Sequence, residues 1–171
     1  SSIFVAIGPV GQVLAYLGTQ MASMTSSMNL KQRPEVAGAL SGLDNGGFWE
    51  EGGKLYRVAA SPTIANDQVL GAIVLGYEVN DSAAISMAKV TASNIAFIIN
   101  KKIVATNLTN DREELLSAFR TNNTMLDQAM IRKSESDPLA FSIKGERYLG
   151  VASPVIASPG TDGQDKKVIA T

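Results

Sequence analysis

Short apolar runs broken by turn residues set the rhythm of this chain. IFVAI at 3–7 and QVLAYL at 12–17 flank GPVG, which predicts a hairpin. Met21, Met24 and Met28 have helical spacing and read as core filler. In RPEVAGALSG, Pro34 suits the first turn of a helix, Glu35 its positive end and Gly42 its exit. Val36, Ala39 and Leu40 supply that helix with an apolar stripe, and DNGG at 44–47 reads as a turn. Two long strands, 54–64 and 68–79, follow around AND. The second, QVLGAIVLGYEV, is almost continuously apolar, the pattern of a strand covered on both faces. NDSAAISMAKV at 80–90 offers Asn80 or Asp81 as a cap and Ala84, Ile85 and Ala88 as a stripe, and so predicts a helix.

The rhythm then restarts. NIAFIINKKIVATNL at 94–108 reads as strand, NKK turn and strand, and NDREELLSAFR at 110–120 as a helix with an acidic first turn. DPLAFSIKGERYLGVASPVIA predicts two strands around Lys144-Gly145. SPGTDGQDK reads as a loop, and KVIAT as the start of a last strand. Within this second pass, YLGVASPVIASP (148–159) repeats YRVAASPTIAND (56–67) at an interval of 92 residues. Tyr56 falls on Tyr148, Ser61 on Ser153, Pro62 on Pro154 and Gly53 on Gly145. Each proline is expected to end its strand. Both halves therefore read hairpin, helix, strand meander, and the period is too long for a solenoid, where roughly 20–50 residues is usual. An α+β chain of two tandem modules follows, with boundaries 1–79 and 80–171 and the second module truncated at its last strand.

Composition narrows the chemistry. The 171 residues contain no cysteine and no histidine. Disulfides, thiolate nucleophiles, the commonest general base and the commonest transition-metal ligand are thereby removed. An enzyme, a metal site and a cofactor are not expected. Ser86 and Lys89 match a Ser-x-x-Lys pattern, but its companion motifs are missing. Net charge is −1 with lysine and arginine scattered, so nucleic acid is not an expected partner. No apolar stretch reaches the roughly 20 residues needed to span a bilayer. A chain that starts and stops at strands reads as a fragment of something longer.

GGFWEEGGKLYRVAASPTIANDQVLGAIVLGYEVN and its echo FSIKGERYLGVASPVIASPGTDGQDKKVIAT resemble the PAS-like double Cache sensor domains. NIAFIINKKIVATNL is similar to the hairpin of the second module in that family. The resemblance implies two PAS-like modules, each an antiparallel sheet flanked by helices, the first membrane-distal and the second membrane-proximal. It implies the periplasmic or extracellular part of a bacterial inner-membrane receptor, with a chemoreceptor, histidine kinase or nucleotide cyclase as output. Membrane attachment would run through flanking helices outside this fragment, and the long helix that usually precedes the first hairpin is not in the sequence.

The partner the resemblance implies is a small molecule, an amino acid, organic acid or amine, with a homodimer as the assembly. An apolar or aromatic wall with a few charged anchors is what such a ligand needs. Trp49, the only tryptophan, with Tyr56 and Arg57 offers this in the first module, Arg57 as the two-pronged carboxylate partner. Side chains alternate along a strand, so Tyr56 and Arg57 project to opposite faces unless a bulge intervenes. Arg147 and Tyr148 repeat the pairing in reverse order and rank lower. Glu50 and Glu51 could attract a cationic ligand but read more simply as solubilising loop residues. The other function class in view is a structural or dimerisation module without its own ligand.

Overall fold

The computed structural model describes residues 1–18, 28–121, 123–158 and 168–170. In chain order its strands and helices are β1 (Ser2–Ile7), β2 (Val13–Leu17), α1 (Pro34–Leu40), β3 (Asn45–Glu51), β4 (Lys54–Ala65), β5 (Gln68–Glu78) and α2 (Asp81–Thr91). There follow β6 (Ala96–Ile99), β7 (Lys102–Thr106), α3 (Arg112–Thr121), α4 (Asn123–Arg132), β8 (Leu139–Ile143), β9 (Glu146–Gly150), β10 (Ser153–Val155), β11 (Ala157–Ser158) and β12 (Val168–Ala170). The chain is α+β and divides into two compact units. The first holds Ser1–Glu78 together with β11, and the second holds Val79–Ile156 together with β12.

Four two-residue turns carry positive φ at both central positions: Gly52-Gly53, Asn66-Asp67, Asn100-Lys101 and Lys144-Gly145. Such primed turns twist with the strands they join, which is why they close tight hairpins. Three of them are the AND, NKK and Lys144-Gly145 turns expected from sequence. Gly53 and Gly145, the first members of the 92-residue repeat, occupy equivalent places in the β3–β4 and β8–β9 hairpins.

In the first unit the strands lie in the order β11-β3-β4-β5-β1-β2, with β11 parallel to β3 and the remaining pairs antiparallel. Alternation sends Ile3, Val5 and Ile7 of β1, Val58 and Ala60 of β4, and Ala72 and Val74 of β5 to one face. Val36 and Ala39 of α1 join them in the core. The other face is not covered as the apolar run of β5 predicts: Ile73, Leu75 and Tyr77 are exposed, beside Leu17. DNGG is not a turn either. Asn45 already pairs with Ala60, so both glycines belong to β3. Pro62 does not end β4, which runs on to Ala65. β3 stops pairing at Ala60, and beyond it β4 is an edge, where a missing N–H costs no ladder bond.

The second unit has the order β10-β12-β6-β7, with β8 and β9 paired separately. Ala96 and Ile98 of β6, Leu115 and Phe119 of α3, and Met125, Leu126 and Ala129 of α4 form its core. The single strand expected over 146–157 is broken at Val151 and Ala152 into β9 and β10, and α4 was not expected at all. Asn80 is the cap of α2, its Oδ1 accepting from Ala83 N at 3.1 Å. Asp81 instead accepts from Thr106 N at 2.9 Å and pairs with Arg112. Met28 packs on the first core, while Met21 and Met24 lie outside the described residues.

Candidate functional site

A buried polar cluster lies on the α1 side of the first sheet. Its geometry begins with Pro34, which confines the residue before it to extended backbone. Arg33 accordingly has φ −72° and ψ 127° and caps α1 from outside the helix, while Glu35 sits one residue inside. β3 supplies Trp49 and Glu51, and β4 supplies Tyr56 directly across from Trp49. β11 adds Ser158. All six side chains are buried.

Glu35 Oε2 accepts from Trp49 Nε1 at 3.0 Å and from Ser158 Oγ at 3.0 Å. A carboxylate held this far from water needs such donors. Its other oxygen lies flat against β3: a Cβ added to Gly47 would come within 1.9 Å of Glu35 Oε1. Arg33 pairs through Nη2 with Glu51 Oε1, and its guanidinium carbon stands 4.0 Å from the Trp49 ring centroid. The second nitrogen, Nη1, is buried with no hydrogen-bond partner in the protein. The Tyr56 hydroxyl is likewise buried and finds no partner at hydrogen-bond geometry. Burial pushes its phenol above the ordinary value of 10.0, against an opposing influence from Ser1. This face of the strands thus buries two carboxylates against one guanidinium. Glu50, also buried, projects to the other face of β3.

The structure therefore brings Trp49 and Tyr56 together and leaves Arg57 out. Arg57 is exposed on the opposite face of β4, 5.5 Å from the Phe48 ring centroid, as strand alternation requires. Arg147 is exposed on β9, in register with Ser142. Tyr148 is half-buried and stacks on Phe141 at 5.8 Å and 14°. Its hydroxyl donates to Glu146 Oε2 at 3.1 Å, which with partial burial raises its pKa. Arg33, Glu35 and Ser158 escaped the sequence reading as site residues, and Glu51 entered it only as a loop residue able to attract a cationic ligand. For the first two a signal was present: ionisable residues on both sides of a proline that starts a helix. For Glu51 it was hidden by the assumption that FWEEGG is a loop.

The second unit holds a cavity of 290 Å³ between α3, α4 and the β8–β9 hairpin. Its lining is mainly apolar and includes Ala96, Leu115, Phe119, Met125, Phe141 and Tyr148, with Ser93 and Asn94 as polar residues at its edge. Among the described residues no group of three or more acidic side chains is arranged to hold a metal ion. No helix of the described residues is long and apolar enough to cross a membrane.

No protein-family profile matches the chain, and no curated protein matches it in sequence. Solved structures do. The sensor domain of the histidine kinase DctB of Vibrio cholerae superposes with a TM-score of 0.50 at 12% identity, over 98% of this chain and 70% of that one. The chain shares the fold of that domain. Two chemoreceptor domains also match. The Campylobacter jejuni Tlp3 sensory domain has a TM-score of 0.47 at 10% identity, over 99% of this chain and 66% of that one. The ligand-binding domain of Pseudomonas fluorescens CtaA, solved with L-alanine, has a TM-score of 0.41 at 14% identity, over 98% and 70%.

Proposed function

We propose that this chain is the extracytoplasmic small-molecule sensing region of a bacterial membrane receptor, without catalysis of its own. The observation that carries the reading is the buried Arg33 Nη1 without a partner beside Trp49. A buried donor left unsatisfied costs about 1–3 kcal/mol, and more when charged. A ligand carboxylate oxygen accepting from Nη1 removes that cost. The second carboxylate on the same face favours a positive group beside it, and the indole supplies an apolar wall. An amino-acid zwitterion satisfies both demands better than an organic acid or an amine alone. The fold shared with a kinase sensor domain supports the reading at the level of architecture.

The two units are read as tandem PAS-like modules with boundaries near 79. The order β10-β12-β6-β7 in the second parallels β4-β5-β1-β2 in the first. The β8–β9 hairpin corresponds to β3–β4 through Gly145 and Gly53. Relay would begin at Ser158. A ligand that competes for Glu35 releases the Ser158 hydroxyl, and Ile156 alone separates β11 from β10 along the chain. Such an event biases a two-state output by the ligand's difference in affinity for the two states.

Calorimetric titration of the whole chain against amino acids, organic acids and amines tests the proposal. Saturable heat from an amino acid is expected. No heat from any of the three classes would refute it. A second reading, assembly without a ligand, is favoured by the exposed Leu17, Ile73, Leu75 and Tyr77. Its occupant would be a second copy of this chain. Sedimentation equilibrium should then give a dimer that Leu75→Lys dissociates.

A further inference from the structure

We propose that the cavity of the second unit is a separate binding site for a small neutral aromatic molecule carrying one hydrogen-bond acceptor. The site is independent of the polar cluster around Trp49 and stands whether or not that cluster binds ligand. At 290 Å³ it falls near the lower end of ligand pockets, about 300–1,000 Å³. An apolar cavity of about 150 Å³ already admits benzene, so this one has room for a ring and a substituent.

The walls define the ligand's body. Leu115 and Phe119 of α3 and Met125 of α4 are buried core side chains that nevertheless border the void. Phe141 and Tyr148 face them from the hairpin. Phe119 and Phe141 are tilted by 59° at 5.9 Å, whereas Phe141 and Tyr148 are nearly parallel. Ring edges and faces are thus both presented, the two geometries that aromatic partners prefer. None of the residues bordering the cavity is charged. A carboxylate or ammonium buried among these walls would lose its hydration with no opposite charge in return.

Asn94 sets the polar end. It borders the cavity at an exposed position, and its Oδ1 accepts from Asn107 Nδ2 at 2.8 Å, which leaves Nδ2 as the donor its amide has to offer. Asn107 Oδ1 in turn accepts from Ile95 N at 2.7 Å, so the pair is held to the backbone immediately before β6. A carbonyl on the ligand meets this donor.

Protein-observed NMR of the whole chain with benzamide, benzoate and L-alanine tests the site. Benzamide should bind saturably and shift the amides of Ala96, Leu115, Phe119 and Gly150, while benzoate and L-alanine leave those signals unmoved. Leu115→Phe fills the void and should weaken benzamide about tenfold or more. Asn94→Ala, on the surface and outside the core, should weaken it without lowering the melting temperature. The proposal is overturned if benzamide fails to saturate in the millimolar range. It is equally overturned if benzoate shifts the same amides as strongly, or if Asn94→Ala and Leu115→Phe both bind benzamide as the parent does.

Discussion

Arg33 concentrates most of the energetic tension in the first unit. Its guanidinium is buried against Glu51 and Trp49, so truncation strands a buried carboxylate. Removing one partner of such a pair typically costs about 3–5 kcal/mol, and Arg33→Ala should lose that much in urea unfolding. Trp49→Phe keeps the ring and deletes the donor to Glu35, with an expected loss of about 1–3 kcal/mol. Tyr56 behaves in the opposite sense. Its hydroxyl has no partner, so Tyr56→Phe should leave stability at neutral pH unchanged or slightly raised. Its pKa is raised above 10.0, so the folded state favours the neutral phenol. That contribution is fully present below pH 10.0 and is lost as pH climbs through the folded value. Chemical denaturation from pH 8 upward should show an alkaline loss that Tyr56→Phe reduces. An identical alkaline slope in the variant would contradict the assignment. At this scale the sequence was half legible. The one tryptophan and its cross-strand tyrosine stood out, and alternation correctly separated Tyr56 from Arg57. The ionic partners did not, because their meeting depends on α1 folding onto β3, which no local pattern encodes.

Turns and caps were the most readable features among the elements. Asn66-Asp67 and Asn100-Lys101 name their hairpins because few residues tolerate positive φ, and the structure uses both. Asn80 is one of the two caps foreseen for α2. Asn80→Ala should lower the melting free energy by about 0.5–2 kcal/mol, measurable by circular dichroism. Where the reading failed, pairing overrode local preference. DNGG has turn composition, yet β4 offers a ladder partner at Asn45 and draws the glycines into β3. Gly47 then gains a second purpose, leaving room for the Glu35 carboxylate. α4 went unseen because TNNT has the composition of a loop, Asn and Thr competing with the helix through their side chains. Its apolar stripe of Met125, Leu126 and Ala129 was present but short. Pro62 and Pro154 mark edge positions rather than strand ends, since β4 beyond Ala60 and the outermost β10 each have an unpaired side.

For the whole molecule, the 92-residue repeat led to an expectation of two tandem modules. The chain divides into two compact units, each with its own core of strands and helices. What the repeat could not show is the return of the chain to the first sheet, where β11 lies parallel to β3 and delivers Ser158 to Glu35. The two units differ in their interiors. One buries ions around an indole, and the other keeps an apolar void lined by rings. The central claim is that the first of these interiors is built for a small zwitterion, and thermal unfolding of the whole chain with and without saturating amino acid tests it most directly. At a hundredfold excess over Kd a ligand stabilises by about 2.7 kcal/mol, which for a chain of this size raises Tm by roughly 5–10 °C. The account predicts a shift of that order for at least one amino acid, absent with benzamide once Leu115→Phe has closed the second cavity. A Tm that no amino acid moves at any concentration would contradict it.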